Sequence, residues 1–182
     1  MPVLRTDRLR LVPLGPEHIE GTWAALQEPE SMRLTGTHAT FTREAVQRWL
    51  ARLAEQDDRA DWAIVLAETQ EHIGEVVLNE LDGDNRSASF RIALASPRWF
   101  GRGYGTEATR AVVEHAFGAV GLHRIELEVY AFNPRAQRAY EKAGFVVEGR
   151  RRDALLWEGE WVDAILMGCL NHVESQPSRP DA

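Results

Sequence analysis

A single cysteine, Cys169, occurs in the 182-residue chain, inside the apolar run from Ala164 to Leu170. No internal disulfide can form, no thiol cluster is available for a metal, and the residue reads as a buried core thiol. Long hydrophobic runs are missing too. Nowhere do about 18 apolar residues follow one another, and the start, Met1 to Asp7, lacks the apolar core of a signal peptide. A soluble, cytoplasmic protein with no membrane partner is expected. Basic excess is also absent: 28 acidic against 21 basic residues give a net charge of −7, which argues against nucleic-acid partners. That balance favours cationic substrates such as amines, or serves solubility alone. None of His18, His38, His72, His115, His123 and His172 forms a pair with ligand spacing, so no metal is expected.

What is present suffices for one core. At 44% apolar composition the chain reads as a single domain over 1–170, with a disordered polar tail over 171–182. Leu9 to Pro13 reads as a first strand, and Gly15-Pro16 opens a helix with Ile19, Trp23 and Leu26 on one face. Thr42 caps a second helix with Val46, Trp49, Leu50 and Leu53 in register. The segment between them, Pro29 to Thr40, reads as irregular. Three strands follow in a meander, from Trp62, His72 and Arg86, with the Asp82–Asn85 turn between the last two. A helix over Thr106–Val120, a strand over Arg124–Tyr130, a short helix capped by Asn133 and stopped at Gly144, and a hairpin through Glu158-Gly159 complete the order.

The chemistry concentrates at Phe100-Gly101-Arg102-Gly103-Tyr104-Gly105-Thr106-Glu107-Ala108, where three alternating glycines join a strand to a helix. Glycine permits positive φ and close backbone approach, and the helix start presents unpaired N–H groups, which together make an anion cradle suited to a pyrophosphate. Gly103-x-Gly105-x-x-Ala108 also fits the dinucleotide fingerprint, with Glu126 or Glu128 as the ribose acid. The antiparallel meander before the loop opposes that reading, and a P-loop fails because Gly-Lys-Ser/Thr is absent.

Asn133-Pro134-Arg135-Ala136-Gln137-Arg138-Ala139-Tyr140-Glu141-Lys142-Ala143-Gly144-Phe145 forms a second block after the glycine loop, and with both in this order the chain resembles, from Leu9 to Leu170, the GNAT superfamily of N-acetyltransferases. The resemblance implies an α/β (α+β) fold with a mixed, mostly antiparallel sheet of about six or seven strands flanked by helices, and a splayed parallel pair. It implies acetyl-CoA as cosubstrate, bound through Leu94, Ala95, Phe100, Gly101, Arg102, Gly103, Tyr104, Gly105, Thr106, Asn133 and Arg138. Thr106-Glu107-Ala108 and the closing Glu158–Asp163 look most like the branch acting on ribosomal-protein N-termini. The loop departs from the family pattern at its first position, where Phe100 replaces Arg or Gln; Arg98 or Arg102 offers charge nearby.

In the resemblance an N–H near Leu94 polarises the thioester carbonyl, and Tyr140 protonates the departing thiolate. From periodicity alone Tyr140 is a packed aromatic, and Asn133 a helix cap. Cys169 has no neighbouring histidine in sequence, so direct attack by the amine is expected over a covalent relay. Glu75 and Glu80, on opposite faces of one strand, are the candidate bases, directly or through water. With no obvious base, an N-terminal α-amine of a protein or peptide suits the site better than a lysine-like amine. Deprotonation at pH 7 costs roughly 1.4 kcal/mol for the former and roughly 4.6 kcal/mol for the latter. A polyamine or other small amine, or a non-catalytic acyl-CoA-binding role, is the alternative. Arg33, Leu34, Thr37 and Trp23 are expected to wall the acceptor site opposite Trp161. A homodimer is compatible with all of this.

Overall fold

Period-two burial builds the sheet. The computed structural model describes residues 1–172. Its strands are β1 (Leu4–Arg5), β2 (Leu9–Pro13), β3 (Ala60–Leu66), β4 (His72–Asp82), β5 (Ser87–Leu94), β6 (Arg124–Tyr130), β7 (Val146–Trp157) and β8 (Glu160–Leu170). The helices are α1 (Ile19–Ala25), α2 (Pro29–Thr35), α3 (Arg43–Arg52), α4 (Tyr104–His115) and α5 (Pro134–Lys142). All eight strands share one sheet in the order β1-β2-β3-β4-β5-β6-β8-β7, antiparallel everywhere except between β5 and β6.

Two apolar layers hold it. Leu9, Leu11, Trp62 and Ile64, each at most 1% exposed, face α4, whose Ala108 and Val112 are fully buried against them, as is Ala116 just beyond its end. Ala63 and Val65, from the opposite face of β3, meet Val46 and Leu50 of α3 and Leu53 just past its end. β3 is therefore apolar on both sides, as a covered strand must be. Truncating any of these leucines to alanine would cost roughly 2–5 kcal/mol.

Several expectations need correction. An eighth strand exists because β1, only two residues long, pairs with β2 through Leu4 and Arg5. Pro29–Thr35 is a helix, started by Pro29 and ended by Gly36 at φ 63°. α4 starts at Tyr104 and gives way to a π turn over Ala116–Val120, closed by Gly121 at φ 78°. Asn171, assigned to the tail, is buried, and its side chain donates to the carbonyls of Phe117 and Leu122. The rest of the expected tail, 173–182, lies outside the described residues. Both expected caps form: Thr42 Oγ1 accepts from Ala45 N at 3.2 Å, and Asn133 Oδ1 from Ala136 N at 3.2 Å.

Candidate active site

β5 and β6 stay paired for only three residues, Ser87 to Ser89 against Arg124 to Glu126. Beyond Ser89 they part, and a cleft of about 800 Å³ opens between them. That volume lies within the range of small-molecule sites. Ala95 N donates to Ile73 O at 2.8 Å, so by antiparallel alternation Ile92 and Leu94 turn their backbone groups toward the gap. The Leu94 carbonyl accepts from Ser31 Oγ at 2.9 Å, which leaves the Leu94 N–H facing the cleft. Ala95, expected beside it, is committed inside the sheet and does not line the cleft.

The glycine loop forms one end. Gly101 (φ 72°) and Gly103 (φ 84°) need the left-handed region, and a Cβ built on Gly101 or Gly105 meets nothing within 4 Å. Gly101, Gly103, Gly105 and Thr106 line the cleft, as does Phe100. Arg102 and Tyr104 do not, because their side chains join an aromatic stack behind the loop: Arg102 lies 5.6 Å from the Trp99 ring, and Tyr104 sits under Arg8 at 4.6 Å. This open, side-chain-free cradle at the start of α4 fits a pyrophosphate.

Sequence reasoning missed Arg8, which lies more than 90 residues from the loop. Glu107 accepts from Thr6 Oγ1 (2.5 Å), Arg8 N (3.0 Å) and Arg8 Nε (2.7 Å), while Arg8 Nη1 donates to Arg102 O (3.0 Å). Burial opposes the Glu107 charge, but these hydrogen bonds and the Arg8 charge outweigh it and hold its pKa below the usual value. The loop is thereby clamped to the start of β2.

From α5, Asn133, Arg138 and Tyr140 line the cleft. The Asn133 cap engages Oδ1 only, leaving its NH2 as a donor, so capping and ligand contact are compatible. Tyr140 is 8% exposed, touches Phe90 and Phe145 edge-on, and has no hydrogen-bond partner among the described residues. Burial pushes its phenol upward, so the proton is held at neutral pH. Cys169 is buried opposite Ile125 and does not line the cleft; burial raises its pKa.

Glu75 lines a smaller cavity of about 70 Å³, which shares Ser31, Thr35, Ala93 and Leu94 with the main cleft. Burial raises its pKa, partly opposed by a hydrogen bond from Thr22, while the Asp61 charge adds to the rise. His72 Nε2 sits 4.0 Å from Glu75 Oε1. Burial, with a contribution from His18, lowers its pKa to about 4, so it supplies no counter-charge at neutral pH. Glu80 was expected on the opposite face from Glu75. A bulge between Asn79 and Asp82, with Glu80 at φ 54°, turns it back, and it accepts from Ser89 Oγ at 2.5 Å. Glu80 lines the main cleft.

The other carboxylates of that mouth are neutralised, Glu126 and Glu148 by Arg124 and Glu128 by Arg151. Glu75 and Glu80 have no arginine partner among the described residues. Of the expected acceptor wall, Leu34 lines the main cleft and Thr37 the smaller cavity. Arg33 is held by Glu30 and the Phe132 ring, and Trp23 packs on the second core. Trp161 is 62% exposed, whereas Trp157 stacks on His38 at 4.9 Å.

The profile of the acetyltransferase (GNAT) domain matches residues 8–146. The chain belongs to the GNAT acetyltransferase family. This GNAT chain is 34% identical over 107 residues to a spermidine N(1)-acetyltransferase of Vibrio cholerae, covering 58% of this chain and 61% of that protein. It is 34% identical over 141 residues to the FsC-acetyl coenzyme A-N(2)-transacetylase of Aspergillus fumigatus, covering 72% of this chain and 60% of that protein. These matches thus span about three-fifths of the length of either relative. The structure of the Vibrio cholerae spermidine N-acetyltransferase in complex with CoA and spermine superposes with a TM-score of 0.84 at 23% identity, covering 91% of this chain and 96% of that one. That likeness establishes the fold.

The expected kinship with ribosomal-protein N-terminal acetyltransferases is corrected by these relatives. The residues behind it serve structure: Glu107 is fixed by Arg8, and Glu158 (φ 50°) and Gly159 (φ 88°) make a hairpin turn.

Proposed function

We propose that this GNAT chain acetylates a primary amine of a small, multiply cationic acceptor of the polyamine class, by direct attack within a ternary complex. The observation that carries the reading is the pair Glu75 and Glu80, two carboxylates on one strand with no arginine partner among the described residues, each lining one of two adjoining cavities. Five residues of β4 separate them, about 16 Å at roughly 3.3 Å per residue. An extended oligoamine carries cations over a comparable span, and the half-buried Glu75 with the exposed Glu80 can replace part of its lost hydration. The spermidine name of the Vibrio cholerae relative supports the same class.

Acetyl-CoA, when bound, supplies an acetyl group activated as a thioester. The residues of this chain do the rest. N–H groups of the loop from Gly101 to Thr106 bind phosphate, and the Asn133 amide and Arg138 hold the ligand from the other wall. The Leu94 N–H, freed by the splay, polarises the acyl carbonyl. Glu75, made more basic by burial, takes the proton from the acceptor ammonium, which removes the earlier objection that no base serves an amine of high pKa. Tyr140 donates its retained proton to the departing sulfur.

Initial rates with spermidine and with n-butylamine test this reading. Spermidine is expected to have the larger kcat/KM by at least tenfold, and Glu80→Gln is expected to raise KM for spermidine alone. Equal use of both amines, or a Glu80→Gln enzyme unchanged toward spermidine, would refute the acceptor class.

A further inference from the structure

The cradle position where the resemblance expects Arg or Gln holds Phe100, and α5 seats a guanidinium on it. Arg135 Cζ lies 4.1 Å from the centroid of the Phe100 ring. Both residues line the cleft together with Gly101, Gly103 and Gly105. The two arginines nearest the loop in sequence are turned elsewhere: Arg98 pairs with Glu71 and covers Trp99 at 4.4 Å, and Arg102 also lies over Trp99. Neither lines the cleft. The Arg135 guanidinium, in contrast, makes no hydrogen bond or ion pair among the described residues. Glu30, which feels the Arg135 charge, is engaged by Arg33 at 2.8 and 2.9 Å.

We infer that Arg135, seated on Phe100, is the side-chain cation that binds the pyrophosphate of CoA, and that it replaces the charge missing from the loop. The inference rests on the acetyl-CoA reading of the cleft. With its Cζ over the ring, the guanidinium keeps its N–H donors free for phosphate oxygens. Holding the side chain over the ring before the ligand arrives reduces the rotamer freedom lost on binding. A pyrophosphate is favoured over a more distant phosphate because Phe100 directly precedes Gly101 of the cradle. Lysine would keep the charge but lose the delocalised cation over the ring and the fork.

Calorimetric titration of CoA, 3′-dephospho-CoA and pantetheine into the parent protein and its variants tests this. Arg135→Ala is expected to weaken CoA and 3′-dephospho-CoA alike, by about tenfold, or about 1.4 kcal/mol. Arg135→Lys should recover part of that loss, and Phe100→Leu should show a smaller one. Pantetheine binding and kcat at saturating acetyl-CoA should not change, and Arg98→Ala should bind CoA as the parent does. Parental CoA affinity in Arg135→Ala overturns the inference. So does a loss that appears equally with pantetheine, and a loss that vanishes with 3′-dephospho-CoA overturns the pyrophosphate assignment. A parent protein that binds no CoA at all defeats the acetyl-CoA reading itself, a result distinct from each of these.

Discussion

Acidifying the protein through the range where an ordinary histidine titrates should unfold it in proportion to how well His72 is buried. The imidazole donates from Nε2 to Gly74 O at 2.8 Å, its Nδ1 is buried without a partner, and its side chain is 13% exposed. Gly21 permits this packing, since a Cβ there would lie 2.0 Å from Nδ1. Burial first, then the charge of His18, lowers the pKa from 6.5 to about 4. Between those values the unfolded chain binds a proton that the folded one refuses. The His72 contribution is therefore fully present above about pH 6.5 and is lost as pH falls toward 4. A difference of about 2.5 units at 1.36 kcal/mol each gives a total of about 3 kcal/mol, of which about 2 kcal/mol falls between pH 7 and pH 5.

Urea unfolding of the parent and of His72→Gln across that range isolates the term, because other groups titrate in both proteins. Glu75, 4.0 Å away, acts with the opposite sign, since its raised pKa makes the fold bind protons more readily than the unfolded chain. The parent should lose about 2 kcal/mol more than the variant from pH 7 to pH 5. Parallel curves would refute the argument that a neutral, buried imidazole anchors α1 to β4.

Tyr140→Phe should keep CoA affinity and lower kcat by about ten- to a thousandfold; turnover at the parental rate would return the residue to packing against Phe90 and Phe145. Gly103→Val should weaken CoA binding severely, because valine resists φ 84° and its Cβ would lie 3.2 Å from Arg8 Nη2, and a folded variant with unchanged calorimetric affinity would contradict the cradle.

Those parts of the fold were legible where one local pattern decided the outcome. β2, β4, β5 and β6 follow alternation, the β7–β8 hairpin follows from its Glu158-Gly159 turn, and the caps at Thr42 and Asn133 follow from a side chain that bonds only a few residues ahead. β1 was invisible because two residues carry no period. α2 was signalled by Pro29 and Gly36, but seven residues give too short an apolar stripe to stand out. The cradle could be read because its glycines must be local, whereas the Arg8–Glu107 clamp depends on bringing β2 to the start of α4. Glu80 was assigned to the wrong face because alternation does not announce a bulge. The proposed acceptor class was out of reach of the sequence for a related reason. The sequence holds many glutamates, but only the folded sheet reveals which of them have no arginine partner among the described residues.

The central claim is that the splayed cleft carries acetyl from CoA to a polyamine-like amine with Glu75 as the proton acceptor. Incubation with acetyl-CoA and either spermidine or a short peptide with a free N-terminus, followed by free thiol and product mass, tests it most directly. The account predicts singly acetylated spermidine with one thiol released per product, the peptide acetylated much more slowly, and Glu75→Gln lowering kcat while sparing CoA affinity. Thiol release with the peptide but none with spermidine, or full activity in Glu75→Gln, would contradict it.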